Sequence, residues 1–233
     1  MEIKAVRPER LYLKVAEQLS EHIDNGDIAV GARLPSERDL AERFAVSRPT
    51  IREAMIALEL AGRVEIRSGS GVYVSSGEPK DLTNIDDDAP GPLELLEARY
   101  FFESDAAALA AERATKRDIK AIEKALQAIK SENRKDEQHE KADERFHLLI
   151  AKASGNSAIH AAIRHIWELR RTSTLSVFFH EQLRKQGVKP IIRDHQEILD
   201  AIRDSDADGA RQAMQRHLQR VIDDIVNEDD AAA

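Results

Sequence analysis

Three histidines and one aspartate occupy positions where helical periodicity asks for apolar side chains. In IIRDHQEILDAI (191–202), Ile191, Ile192, Ile198, Leu199 and Ile202 share one stripe of a helix, with His195 in the middle of it. In KADERFHLLIAKASGN, Asp143 and His147 stand four residues apart, so they share a helix face beside Phe146, Leu149, Ile150 and Ala153. Near the C-terminus, Ala210, Met214, His217, Leu218, Val221 and Ile225 form the stripe, again with an imidazole inside it. A single histidine on an apolar face is more often a satisfied core residue than a ligand. One carboxylate and three imidazoles from three helices are another matter, because burying them unpaired is expensive. A divalent cation removes that cost by taking the imidazole lone pairs and the carboxylate together. Nitrogen and oxygen donors without sulfur suit zinc, nickel or manganese, and the residues alone do not choose among them. The competing arrangement pairs Asp143 with His147 along their own helix and ties the other two rings to backbone or water.

Two arginines extend the pattern. Arg99 falls on the stripe made by Leu95, Leu96, Phe102, Ala106 and Ala110, and Arg170 follows Ile159, Ile163 and Ile166 near Trp167. An inward guanidinium is suited to a two-pronged grip on a carboxylate. Arg99 can instead pair with Glu103 one turn on, and Arg170 can snorkel to solvent. A cation with inward arginines describes a receptor for a small organic acid carrying hydroxyls.

The elements that must hold these groups are helices. From Leu93 onward the periodicity predicts about six, over 91–114, 116–134, 137–154, 156–183, 189–204 and 206–227, an antiparallel bundle over 93–229. Before it, residues 77–92 hold Gly, Pro and an acidic run without period and read as a linker. Residues 1–76 read differently. Tyr12, Val15, Ala16, Leu19 and Ile23 give one apolar helix face, ended by Asn25 and Gly26. Ser36 can cap a second helix, with Asp39 three residues on, and Ser47 a third, with Pro49 in its first turn. Val64 and Ile66, then Val72 and Val74, alternate around SGSG as a hairpin. That order is a winged helix-turn-helix, so the fold class is mainly α: a winged head followed by an all-α bundle. With Ile51, Ala54, Met55 and Leu58 turned inward, Arg48, Pro49, Thr50, Arg52 and Glu53 form the opposite face of the third helix. Such a helix enters the major groove, where arginine reads guanine and Ser or Thr binds phosphate.

Composition sets bounds on this. The net charge of −8 argues against nucleic acid until the chain is divided: residues 1–76 carry 11 Lys+Arg against 12 Asp+Glu, and the remainder 24 against 31. The head is near neutral, and clustering of its arginines outweighs their sum. Cysteine is absent, which excludes disulfides and thiolate metal sites. No apolar run is long enough for a bilayer and MEIKAVRPER lacks a secretory core, so a cytoplasmic protein is expected.

RLPSERDLAERFAVSRPTIREAMIALELAGRVEIRSGSGVYV resembles the DNA-binding signature of the GntR family of bacterial repressors. The resemblance implies DNA contacts from Arg38, Ser47, Arg48, Thr50 and Arg52, and from the wing at Ser70 and Gly71. Pro49 departs from the Thr often found there. DERFH, DHQEIL and QRHLQRV look similar to the FCD ligand-binding domain of the FadR subfamily. In its metal-binding members an Asp and three His hold the ion, matched here by Asp143, His147, His195 and His217. PLELLEARYFFES, IWELRR and FFHEQL are similar to the hexuronate-utilisation regulators; RKQGVKPIIR matches them less well. The implied protein is a homodimer on a palindromic operator, controlled by a sugar acid held by the metal and by Arg99 and Arg170. One recognition helix reads too few base pairs alone, which also asks for a dimer. Two other readings of the same residues are a metal-dependent hydrolase with a DNA-binding appendage and a direct metal sensor.

Overall fold

The computed structural model describes residues 10–67, 69–77, 89–135 and 141–226. The wing-tip Ser68, most of the expected linker (78–88) and the acidic tail (227–233) lie outside them. The described residues form ten helices and one two-stranded sheet, in two compact units. One unit holds the chain up to Pro92 with Ser173–Phe179; the other holds Leu93–Thr172 and His180–Asp224.

In the first unit, α1 (Leu11–Asp24) buries Tyr12, Val15, Ala16 and Leu19 and ends at Asn25, followed by Gly26 at φ +79°. The two serine caps form as expected. Ser36 Oγ accepts from the Asp39 N–H at 3.2 Å to start α2 (Glu37–Phe44), and Ser47 Oγ accepts from the Thr50 N–H at 3.3 Å to start α3 (Arg48–Leu60). Between them Ala45 turns the chain in the left-handed region, at φ 53°. Strand β1 (Val64–Arg67) pairs antiparallel with β2 (Gly71–Val74), Val64 opposite Val74 and Ile66 opposite Val72. The other edge of β2 is also tied down, since the N–H of Leu34 donates to the Val72 carbonyl and that of Gly31 to Val74. The cap at α3 is testable. Replacing Ser47 with alanine removes the acceptor for one exposed N–H and is expected to cost about 1 kcal/mol, read as a lower thermal midpoint of the head.

The helices after the hairpin are α4 (Pro92–Arg113), α5 (Lys116–Lys135), α6 (Lys141–Ala153), α7 (Ser157–Thr172), α8 (Thr174–Lys185), α9 (Ile192–Arg203) and α10 (Ala207–Val226); the second unit takes them all except Pro92, the first half of α8 up to Phe179 and the end of α10 after Asp224. Its main core joins Ala107 and Ala110 of α4, Ile122, Leu126 and Ile129 of α5, Phe146 and Ile150 of α6, Ile198 and Ile202 of α9, and Met214 and Leu218 of α10. A second cluster sets Ala106 and Ala151 against Ile163 and Trp167 of α7.

Two expectations need correction. The single helix over 156–183 is two helices, because the hydroxyl run Thr172-Ser173-Thr174 offers a new cap: Ser173 Oγ accepts from the Ser176 N–H at 3.4 Å. Phe102 does not lie on the inner stripe of α4. It is 45% exposed and Phe101 63%, and the buried stripe runs through Leu96, Arg99, Glu103, Ala107 and Ala110.

Candidate functional site

Within the head, the start of α3 is open. Ser47 and Pro49 are exposed and Arg48 and Thr50 half-buried, while Arg38 on α2 is exposed. Ser47 Oγ also lies 2.8 Å from the Thr50 hydroxyl, which fixes both side chains at the helix tip. Arg52 departs from the exposed face expected of it. From Ile51 to Leu58 every residue of α3 is buried, Arg52 is only 6% exposed, and its Nε donates to Glu37 Oε1 at 2.6 Å. Glu53 is buried as well, with Gly91 so close that a Cβ there would stand 2.2 Å from its carboxylate. On the wing, Ser70 is exposed and its hydroxyl lies 2.9 Å from that of Tyr73. Gly71 has a backbone reason for its type: φ is +116°, and a Cβ would stand 2.5 Å from Nε of Arg33.

In the bundle, α6, α9 and α10 bring His147, His195 and His217 together. Each ring offers one nitrogen, these nitrogens all lie within 4.8 Å of one another, and the side chains are 1%, 0% and 4% exposed. The rings of His195 and His217 are 4.5 Å apart, and those of His147 and His217 stack at 5.3 Å. Asp143 sits one turn before His147 but pairs elsewhere. Its Oδ1 is 2.8 Å from His195 Nε2 and 3.8 Å from His147 Nε2. The intrahelical pairing weighed as the competing arrangement is therefore not the main contact.

The protons on His195 are informative. Its Nδ1 donates to the Ile191 carbonyl at 2.9 Å, yet Nε2 faces a carboxylate oxygen, which in its charged form also only accepts. A neutral ring cannot satisfy both neighbours. Either Nε2 takes a second proton, or a cation lies between ring and carboxylate. The electrostatics agree: burial pushes His195 down, but the Asp143 hydrogen bond and charge more than offset it and leave the imidazole raised. Burial pushes Asp143 up, and the His195 hydrogen bond with the charges of His147 and His195 brings it well below the usual carboxylate range. His217, desolvated and close to two other rings, is pushed down to about 4 and so keeps a free lone pair. His147 Nε2 has no hydrogen-bond partner. Ring nitrogens grouped beside a carboxylate are the donor set that a divalent cation requires, so these residues could hold one.

Both arginines expected beside this cluster flank Trp167. The Arg99 guanidinium carbon lies 4.1 Å from the indole ring and that of Arg170 4.9 Å. Arg99 is buried and does pair with Glu103, Nε to Oε1 at 2.9 Å, but its Nη2 has no hydrogen-bond partner. A buried guanidinium nitrogen without a protein acceptor is a donor that could hold an anion.

Three residues of this neighbourhood were not found from the sequence. Glu103 was considered only as a partner for Arg99, yet it also faces His147. Asp194, buried, has one oxygen 3.8 Å from His217 Nδ1 and the other 3.3 Å from Arg220. His180 on α8 is buried too, and desolvation followed by the charges of Arg170 and Arg99 holds it well below its usual range. No spacing signal marks His180. Asp194 lies on a buried face that polar neighbours disguise, and Glu103 follows two exposed phenylalanines that suggest a different inner face.

Comparison with known proteins assigns both units. Residues 11–74 match the model of the gntR family of bacterial regulatory proteins, and residues 94–220 match the FCD domain. The chain is 37% identical over 232 residues to the Exu regulon transcriptional regulator of Escherichia coli, covering 97% of this chain and 88% of that protein. It is 36% identical over 215 residues to the Uxu operon regulator of Haemophilus influenzae, covering 91% of this chain and 80% of that protein. The solved GntR structure of Streptococcus agalactiae aligns with 90% of this chain and 98% of its own at 31% identity, with a TM-score of 0.48. No described helix is long and apolar enough to cross a membrane. The chain thus belongs to the gntR family of bacterial regulatory proteins, in its FCD-containing FadR subfamily, and is a DNA-binding transcription regulator rather than an enzyme.

Proposed function

We propose that this regulator is a homodimeric repressor whose affinity for a palindromic operator is set by a small carboxylate, a sugar acid of the hexuronate type, bound beside a divalent cation in the bundle. One observation carries the reading: a buried His147–His195–His217 cluster with Asp143, and beside Trp167 of the same unit a buried Arg99 whose Nη2 lacks an acceptor. In this reading Asp143 and the three histidines hold the cation, zinc first among the candidates. When bound, the cation supplies a positive centre to which a carboxylate and a neighbouring hydroxyl can bind. Arg99 and Arg170 hold the far end of the same molecule. Arg38, Ser47, Arg48, Thr50 and the wing at Ser70 face the operator. The hexuronate assignment draws on the resemblance to hexuronate-utilisation regulators and on relatives named for the Exu regulon and the Uxu operon. The effector controls the operator only if it binds one arrangement of the heads better than the other.

Thermal-shift titration with hexuronates, aldonates and dicarboxylates, with and without chelator, tests the proposal. An effector at 100 times its dissociation constant adds about 2.7 kcal/mol, a rise of roughly 5–10 °C for a protein of this size. The rise should follow concentration and vanish with chelator. A rise indifferent to chelator removes the cation from the proposal, and no rise with any acid removes the effector. Loss of operator binding on chelation alone identifies a metal sensor.

A further inference from the structure

Glu103 is 1% exposed, and burying a carboxylate among helices is tolerated only when it is paired and hydrogen-bonded. It has three neighbours, and they belong to different parts of the candidate site. Oε1 accepts from Arg99 Nε at 2.9 Å and from the Trp167 indole N–H at 3.0 Å. Oε2 stands 2.5 Å from Nδ1 of His147. The ring of His147 lies 5.5 Å from that of Trp167, so the four groups form one continuous patch.

We infer that Glu103 is a positioning residue that couples the cation to the effector carboxylate: one oxygen fixes His147 as a cation ligand while the other fixes Arg99 and Trp167 as the anion grip. The inference rests on the reading that the bundle binds a cation and a carboxylate together. The chemistry at His147 is directional. A carboxylate oxygen 2.5 Å from Nδ1 favours the proton on that nitrogen and leaves the Nε2 lone pair free; the contact is one of charge and proximity, since neither ring nitrogen of His147 nor Glu103 Oε2 has an aligned hydrogen-bond partner. At Arg99, occupying Nε leaves Nη2 as the donor without an acceptor.

Fixed charge explains why the two ligands should depend on each other. Glu103 and Asp143 offset Arg99 and Arg170, and a divalent ion then adds two positive charges to a dry interior. An anion on Arg99 relieves part of that excess, so each ligand strengthens the other. Glu103 is the shared support through which a shift of one ligand's anchor reaches the other.

The test compares the full chain with Glu103→Gln and Glu103→Asp. Zinc affinity is measured by chelator competition, and D-glucuronate affinity with and without saturating zinc, followed by emission of Trp167, the chain's single tryptophan. Glutamine is isosteric and can still accept from Arg99 and Trp167 through its oxygen. Its NH2 then meets the His147 Nδ1–H, donor against donor, and drives the proton to Nε2. Zinc affinity should fall about 10–100-fold in Glu103→Gln, and the zinc-dependent gain in glucuronate affinity should shrink toward one. Aspartate keeps the charge but falls one methylene short, so it should retain part of the zinc affinity and little of the gain.

A purely structural Glu103 would lower the melting temperature of both variants while leaving zinc affinity and the gain as in the parent, and that result overturns the inference. Should Glu103→Gln fail to fold, Glu103→Asp decides alone, and a parent-like gain overturns it. A parent chain that takes up no zinc, or no glucuronate when loaded, overturns the proposed function and this inference with it. A parent that binds both, beside variants with an undiminished gain, overturns this inference only.

Discussion

His195→Ala is expected to purify without a stoichiometric divalent cation, to bind zinc two to three orders of magnitude more weakly than the parent, and to show no sugar-acid thermal shift. His195 is the ring whose surroundings a cation would change most, because both its nitrogens face acceptors, the Ile191 carbonyl and Asp143, and a bound cation would take the place of the second proton on Nε2. Removing the ring deletes one of four donors and frees Asp143 from its shortest contact. Structural zinc sites bind with about 10–16 kcal/mol, so one of four comparable ligands accounts for about 3 kcal/mol. Asp143 is also left buried beside an imidazole-sized void, and breaking a buried pair of this kind costs about 3–5 kcal/mol in the cation-free protein. Elemental analysis and chelator competition read the first effect; thermal denaturation reads the second. Operator binding without effector should persist, since the head contributes no residue to the cluster. A variant that retains one tightly held equivalent would place the cation elsewhere. His195→Gln, which refills the volume without an imidazole nitrogen, separates lost ligation from lost packing: it should recover stability and not the cation.

What could be read from sequence follows the strength of local signals. The head was legible because each boundary has its own chemistry: Ser36 and Ser47 must accept backbone N–H groups, Gly26 must turn with positive φ, and Val64, Ile66, Val72 and Val74 must alternate. The histidine cluster was legible for a related reason, since a polar residue on a regular apolar stripe breaks a pattern that is otherwise easy to follow. Glu103 was hidden by the reverse effect. Phe101 and Phe102 are large and apolar, and counting Phe102 as core rotates the apparent inner face of α4 away from Glu103. The break at Ser173 was missed because Ile159, Ile163, Ile166 and Trp167 continue in phase toward Leu175, and only the hydroxyl run marks the cap. Arg52 was misplaced because an arginine on a recognition helix is usually exposed. Its partner Glu37 lies on another helix 15 residues away, beyond the reach of any periodicity argument.

That partner yields the second large effect, in the head. Arg52→Ala should unfold the winged helix-turn-helix more readily, by about 3–5 kcal/mol, because Glu37 loses a 2.6 Å partner in a place water hardly reaches. Operator binding would fall with it, but through loss of the docked α2–α3 pair rather than loss of one base contact. The two causes differ in their readout. Trp167 lies in the bundle, so the head's transition registers in circular dichroism and leaves tryptophan emission unchanged. Arg38→Ala supplies the contrast: it lies exposed on α2, so it should leave the melting curve alone while weakening the operator and, where it contacts phosphate, lowering the salt slope by about one. Replacing Arg52 and Glu37 together with methionine should recover most of the stability, as buried ion pairs exchanged for apolar packing commonly do. An Arg52→Ala chain that melts like the parent, yet loses discrimination at one operator base pair, would return Arg52 to the groove and make its pairing with Glu37 a resting position that DNA displaces.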